Sequence, residues 1–243
     1  MVMRAPSTWW VRLLPAVLCW ALGCEVVGQE PVQAPVVARA AAEASLVVDG
    51  WTLTFDVARV GFGPLYLCTT AAASADLCPS ALAELVTSTT VDLLDPAPQP
   101  LGTLVGHSGA ARSATWDYGI SHVGAWTKAK ATAGAPSGHS AIFHGTASKD
   151  GRSFAFVVNL DIAPQHAGTR VVQGAPVALD VAADGLPLVV RFDLAAWWQQ
   201  VDVEAMAAFA GATLWLGGDS VTGNALVIAM TANAPPTLRW GEP

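Results

Sequence analysis

Five histidines, His107, His122, His139, His144 and His166, fall within one stretch of 60 residues. Neutral imidazole is a common ligand for copper and zinc. A site using His139, His144 and His122, with Met206, Met230 or a carboxylate completing the shell, would hold either metal. The spacing does not preform such a site. His139 and His144 are five apart and would point to opposite faces of a regular strand, and the chain has no H-x-H or H-E-x-x-H. The two carboxylates of a glycosidase need not be neighbours in the chain, and nothing singles out a pair among nineteen acidic residues.

The run Gly106-His107-Ser108-Gly109-Ala110 resembles the G-x-S-x-G nucleophile elbow of α/β-hydrolases, with Ala in place of the last Gly. That chemistry needs Ser108 on a tight strand-to-helix turn, with an acid and then a histidine arriving later. The residues after Ala110, "ARSATWDYGI", form a poor helix, and no histidine occurs in the 77 residues after His166. Glycine, serine and histidine also make ordinary hairpin loops. The expectation is a protein without catalytic activity, with a serine hydrolase at Ser108 as the enzymatic alternative.

Tryptophan is abundant: Trp51, Trp116, Trp126, Trp197, Trp198, Trp215 and Trp240 all lie beyond residue 23. Exposed indoles stack on sugar rings, so a row of them on a sheet would make a carbohydrate platform. Spaced single tryptophans more often pack in a core or at a sheet edge. Adjacent Trp197 and Trp198 cannot both face one core, so one of them is expected at the surface or against another element.

The N-terminus carries Arg4 and Arg12 and then an apolar run from Leu13 to Leu22. The run is half of the roughly 20 residues that a membrane-spanning helix needs, and the pattern reads as an export signal over 1–23. Ala21-Leu22-Gly23-Cys24 resembles a bacterial lipobox, which implies lipid on Cys24. Loss of 1–23 leaves Cys24, Cys68 and Cys78, an odd number. With Cys24 lipidated, the other two form a pair around "TTAAASADL", a bridge worth roughly 2–3 kcal/mol by loop entropy. The mature chain would carry ten basic and nineteen acidic residues, a charge of −9. That composition argues against a nucleic-acid partner and against electrostatic attachment to anionic lipid, so the N-terminal acyl chain would hold the protein to the membrane. The expected location is the cell envelope. Glu25 rather than Asp after the cysteine suggests by resemblance the outer membrane, facing the periplasm or the cell surface.

These residues must be positioned by a mostly β fold. Residues 24–45 contain Pro31 and Pro35 without a clear period and read as a lipid-anchored tether, with a possible short helix over Ala38–Ala44. Residues 46–241 read as one antiparallel β-sandwich, or an open barrel, with two or three short helices. Asp49-Gly50 is a hairpin turn, followed by Trp51, Leu53, Phe55 and Val57 alternating with polar residues. Lys149-Asp150-Gly151 is a second turn, with Phe154, Phe156, Val158 and Leu160 on one face of the return strand. A third turn at Ala182–Gly185 joins two apolar strands, and "NALVIAMTA" reads as a buried closing strand. Helices are expected in "DLCPSALAELV" (cap Asp76, Pro79 near the start), from Asp193 in "FDLAAWWQQ", and from Asp202 in "DVEAMAAFAG".

The stretches "DGWTLTFDVARVGFGPLYLC", "FHGTASKDGRSFAF" and "RFDLAAWWQQVD" resemble lipoproteins of myxobacterial type that have no assigned role. Such chains bear a fainter similarity to methanobactin-associated, copper-linked periplasmic β-proteins. The resemblance implies an anchored β-sandwich and supplies no catalytic residue or metal ligand. The function expected from all this is a lipid-anchored extracytoplasmic binding module for a protein or carbohydrate ligand, needing no cofactor. The alternative is a periplasmic copper- or zinc-binding protein.

Overall fold

A computed structural model describes residues 29–41, 43–71, 81–122, 127–182 and 185–241. The expected signal segment, Cys24, Asp76, Cys78, Pro79, Trp126 and the tip of the 182–185 turn lie outside these residues.

The chain begins with β1 (Pro31–Ala40), β2 (Ser45–Val48), β3 (Trp51–Phe62) and β4 (Leu65–Cys68). Then come β5 (Ala81–Leu85), β6 (Thr89–Asp92), β7 (Gln99–His107) and β8 (Gly109–Trp116). The short strands β9 (Ile120–Ser121) and β10 (Lys130–Ala131) pair with each other. A long hairpin, β11 (Ala141–Lys149) and β12 (Arg152–Leu160), is followed by β13 (Val172–Val181) and β14 (Leu188–Phe192). Helices α1 (Leu194–Trp198) and α2 (Val203–Phe209) lead to β15 (Thr213–Leu216), α3 (Val221–Ile228) and β16 (Thr237–Trp240).

Among the described residues the fold is mostly β with three short α-helices. Sheet A has the order β13-β8-β4-β5-β7-β1-β14-β16, and its end strands β13 and β16 approach each other, so it is nearly a closed barrel. Sheet B runs β15-β12-β11-β3-β2, with β6 on the second half of β3. Pairing is antiparallel except for β1–β14 and β12–β15, which are parallel.

Both expected hairpins form, each with its two turn residues at positive φ: Asp49 and Gly50, then Asp150 and Gly151. That turn matches the right-handed twist of the flanking strands. Phe154, Phe156, Val158 and Leu160 are all buried as expected. In β3 the alternation breaks after Phe55. A bulge sets Gly145 opposite Phe55 and His144 opposite Val57, leaving Asp56 as the extra residue. The inward set therefore continues as Ala58, Val60 and Phe62, and Val57 turns outward.

Several expectations are corrected. Much of the supposed tether is β1, held between β7 and β14 in sheet A, with Val32, Ala34, Val36 and Ala38 buried. Its prolines are tolerated for a geometric reason. The Ser108 N–H donates to the Glu30 oxygen, so by alternation Pro31 and Pro35, opposite His107 and Thr103, turn their nitrogens away from β7. On that side β14 pairs only from Val36 onward. Among the described residues of Ala38–Ala44 no helix forms, because the first three end β1. The expected helix at "DLCPSALAELV" is, in its described part, β5, inserted between β4 and β7 with Leu82, Ala83 and Leu85 buried. The strand expected at "NALVIAMTA" is α3 and a π-helical turn at Ala229–Asn233. Ser220 caps that helix, its Oγ accepting from the Gly223 N–H at 2.9 Å. Gly223 is required there, since a Cβ would collide with the Gly217 carbonyl oxygen. β13 and β14 flank the third turn but pair with other strands, β8 on one side and β1 and β16 on the other.

The helices at Asp193 and Asp202 form as read, each aspartate accepting from the N–H three residues on, at 2.8 Å. Trp197 and Trp198 are both fully buried. Trp198 packs against Phe55, Phe143 and Phe156, while Trp197 meets Phe143 and Phe192 and donates to the Ala234 oxygen at 2.8 Å. Neither reaches the surface and both belong to one core, which corrects the expectation that adjacent residues could not share it: the two indoles diverge by about 100° around the helix, yet both are large enough to meet Phe143.

Candidate functional site

The residues singled out in the sequence are largely kept apart. Ser108 is the single residue between β7 and β8, and it leads into a strand, so the helix of a nucleophile elbow is missing. Its Oγ accepts from the Glu30 N–H at 2.9 Å and fastens the start of β1. His139 comes directly after a 3-10 turn at Pro136–Gly138, His144 lies on β11 and His122 comes directly after β9. Among the described residues no three His, Cys, Asp or Glu side chains converge as a metal site would require. Cys68 ends β4, is buried and is disulfide-bonded. Its expected partner, Cys78, lies outside the described residues.

The carboxylate whose pKa is raised by burial is structural. Asp117 is completely enclosed, and burial pushes its pKa up to about 6. The Val171 N–H, the Arg170 guanidinium, Ser121 and His122 all favour its charged form without offsetting that burial. Oδ1 accepts from Val171 at 2.9 Å, and Oδ2 lies 3.5 Å from Arg170 Nη1. Arg170 sits over the Tyr66 ring and donates to its hydroxyl at 3.2 Å. Both charges are shielded from solvent, so no substrate can approach the pair.

An accessible constellation lies at the β15 edge of sheet B. In the sequence TLWL of β15, Leu214 and Leu216 turn toward the core, so Thr213 and Trp215 face outward. Trp215 is 70% exposed, whereas Trp51, Trp116, Trp197 and Trp198 are buried. β15 pairs with β12 so that Trp215 stands beside Val157, and Val157 stands beside His144. Trp215 borders a cavity of about 540 Å³ lined also by His139, Asn159, Asp161 and Asp219. His139 Nδ1 lies 2.8 Å from Asp161 Oδ1, a contact that orients the ring and leaves Nε2 for an incoming group. Asn159 Oδ1 is buried and has no hydrogen-bond partner among the described residues. A buried acceptor without a partner is costly, and this oxygen, unlike Trp215, is closed to solvent.

The indole face, an amide, two carboxylates and an oriented imidazole together match a polyhydroxylated ring, which offers an apolar face and a rim of hydroxyls. In the sequence Trp215 is a candidate only as one of seven. Asn159 and Asp161 were missed, although the period of two in β12 already places Asn159 on the face opposite Phe156 and Val158. The juxtaposition of His139 with Asp161 has no local signal.

No family model, curated protein or solved structure matches the chain.

Proposed function

We propose that the chain is a non-catalytic binding module that takes a carbohydrate on the outer face of sheet B. The observation that carries this reading is Trp215, an indole left open to solvent on a regular strand, bordering the cavity lined by His139, Asp161 and Asp219. An aromatic anchor of this kind contributes most of the affinity in many recognition sites. Binding should be read by tryptophan fluorescence and by retention in gels containing soluble polysaccharides. Trp215→Ala should weaken it by about 2 kcal/mol, roughly thirtyfold in Kd, and leave the melting temperature unchanged. Retention equal to wild type in that variant would refute the reading.

The setting we propose is the cell envelope, with the module held by lipid on Cys24, as the lipobox-like Ala21-Leu22-Gly23-Cys24 and the likeness to myxobacterial-type lipoproteins suggest. Mass spectrometry of detergent-extracted protein should find the mature chain starting at Cys24 with a diacylglyceryl adduct. An unmodified Cys24 in soluble mature protein would remove the anchor from the proposal.

A further inference from the structure

We propose that the cavity at the carboxyl ends of β1 and β14 is a second site, which binds a phosphate or sulfate monoester of a small polyol. Arg39 and Arg191 are register partners in this parallel pair, so their side chains leave adjacent strands on the same face, about 4.8 Å apart at the backbone. Their neighbours Ala38, Val190 and Phe192 are buried, which puts both arginines on the outer face. Arg239 on β16 sits opposite Val189 and therefore joins the same face, diagonal to Arg191.

Like charges directly across a sheet are destabilising, and this pair occurs in a chain of net charge −7 with only twelve basic residues. Among the described residues neither Arg191 nor Arg239 has a carboxylate partner. Arg39 is held in position through Nη1, which donates to the Pro96 oxygen at 2.8 Å. Both Arg39 and Arg191 line a cavity of about 420 Å³ at the strand ends, lined also by Phe192, Ala196 and Thr237. That size suits a small ligand. Two guanidinium forks present more N–H donors than a single carboxylate accepts, and a tetrahedral oxyanion with three terminal oxygens matches them better. The acid lining the cavity is Asp193, whose Oδ1 already accepts from the Ala196 N–H. Its remaining acceptor capacity suits a hydroxyl of the polyol. The lining is therefore positive where the oxyanion would sit and accepting beside it.

The test uses the purified protein at constant ionic strength, titrated with glucose 6-phosphate, inorganic sulfate and, as a neutral control, glucose. The arginine Nε–Hε signals are followed by NMR. Glucose 6-phosphate and sulfate should shift the Arg39 and Arg191 signals saturably, and glucose should not. Arg191→Gln should weaken binding roughly tenfold or more, as the loss of charge-assisted hydrogen bonds implies. Arg191→Lys should do nearly the same, because an ammonium cannot replace the fork. Trp215→Ala should leave this binding untouched, which separates the two sites. Shifts that never saturate, that chloride reproduces, or that persist unchanged in Arg191→Gln would overturn the proposal.

Discussion

Replacing Asp117 with alanine should cost about 3–5 kcal/mol at neutral pH, because it leaves the enclosed Arg170 charge without its counter-ion. The Val171 N–H loses its acceptor in the same step. Asp117→Asn separates the charge from the geometry and gives a pH signature. The folded-state pKa of about 6 lies above the unfolded value of 3.8. The folded state therefore binds the proton more tightly, and this group's contribution is complete below about pH 4 and lost as pH rises through about 6. Lowering the pH from 7 toward 4 should raise wild-type stability relative to Asp117→Asn by on the order of 2–3 kcal/mol. The comparison must be a difference between the two proteins, because other carboxylates act in the opposite direction. Glu204 is one: hydrogen bonds from Arg152, then Trp51, hold its pKa down to about 2, so its contribution is present above 4.5 and begins to be lost at the acid end of that range, as pH falls below 4.5 through about 2. Parallel urea-stability curves for wild type and Asp117→Asn across that range would show that Asp117 does not titrate as its burial requires.

Trp198→Ala should be at least as damaging, at about 3–5 kcal/mol. Its ring is fully buried with centroids 5.2, 5.7 and 5.1 Å from Phe55, Phe143 and Phe156, so removal empties the space between α1 and sheet B. Trp198→Phe should cost clearly less. It keeps most of the apolar contact and removes an indole N–H that has no partner among the described residues. The exposed Trp215→Ala should stay within about 0.5 kcal/mol of wild type. Equal losses for Trp198→Ala and Trp215→Ala in urea titrations would contradict this division between core and surface indoles.

Local chemistry determined the two hairpins and two of the helices. Asp49-Gly50 and Asp150-Gly151 select turns that need positive φ, and each sets the register of the strands it joins. Asp193 and Asp202 cap helices through their own side chains, an interaction that spans three residues. The apolar alternation of β12 likewise comes from its own period of two, and with it the outward placement of Asn159. A mostly β fold was therefore readable along the chain.

Tertiary structure decided the rest, because the deciding partners are distant in sequence. β1 is a strand because β7 and β14 flank it, while its own prolines argue for a linker. The apolar run after Ser220 suits a strand or a helix by composition, and packing of Gly223 on the Gly217 carbonyl goes with the helix. The bulge at Asp56 moves the buried face of β3 through its pairing with Gly145. Trp51 and Trp215 both sit in alternating strands, yet the first begins a strand packed over α2, where Glu204 accepts its indole N–H, and the second faces away from the core. Arg39 and Arg191, 152 positions apart, become neighbours only because β14 returns parallel to β1. A capping side chain or a turn acts within a few residues and can be read from them. Which face of a strand meets the core, and which charges meet across a sheet, depends on the return of distant chain, and no local pattern encodes that return.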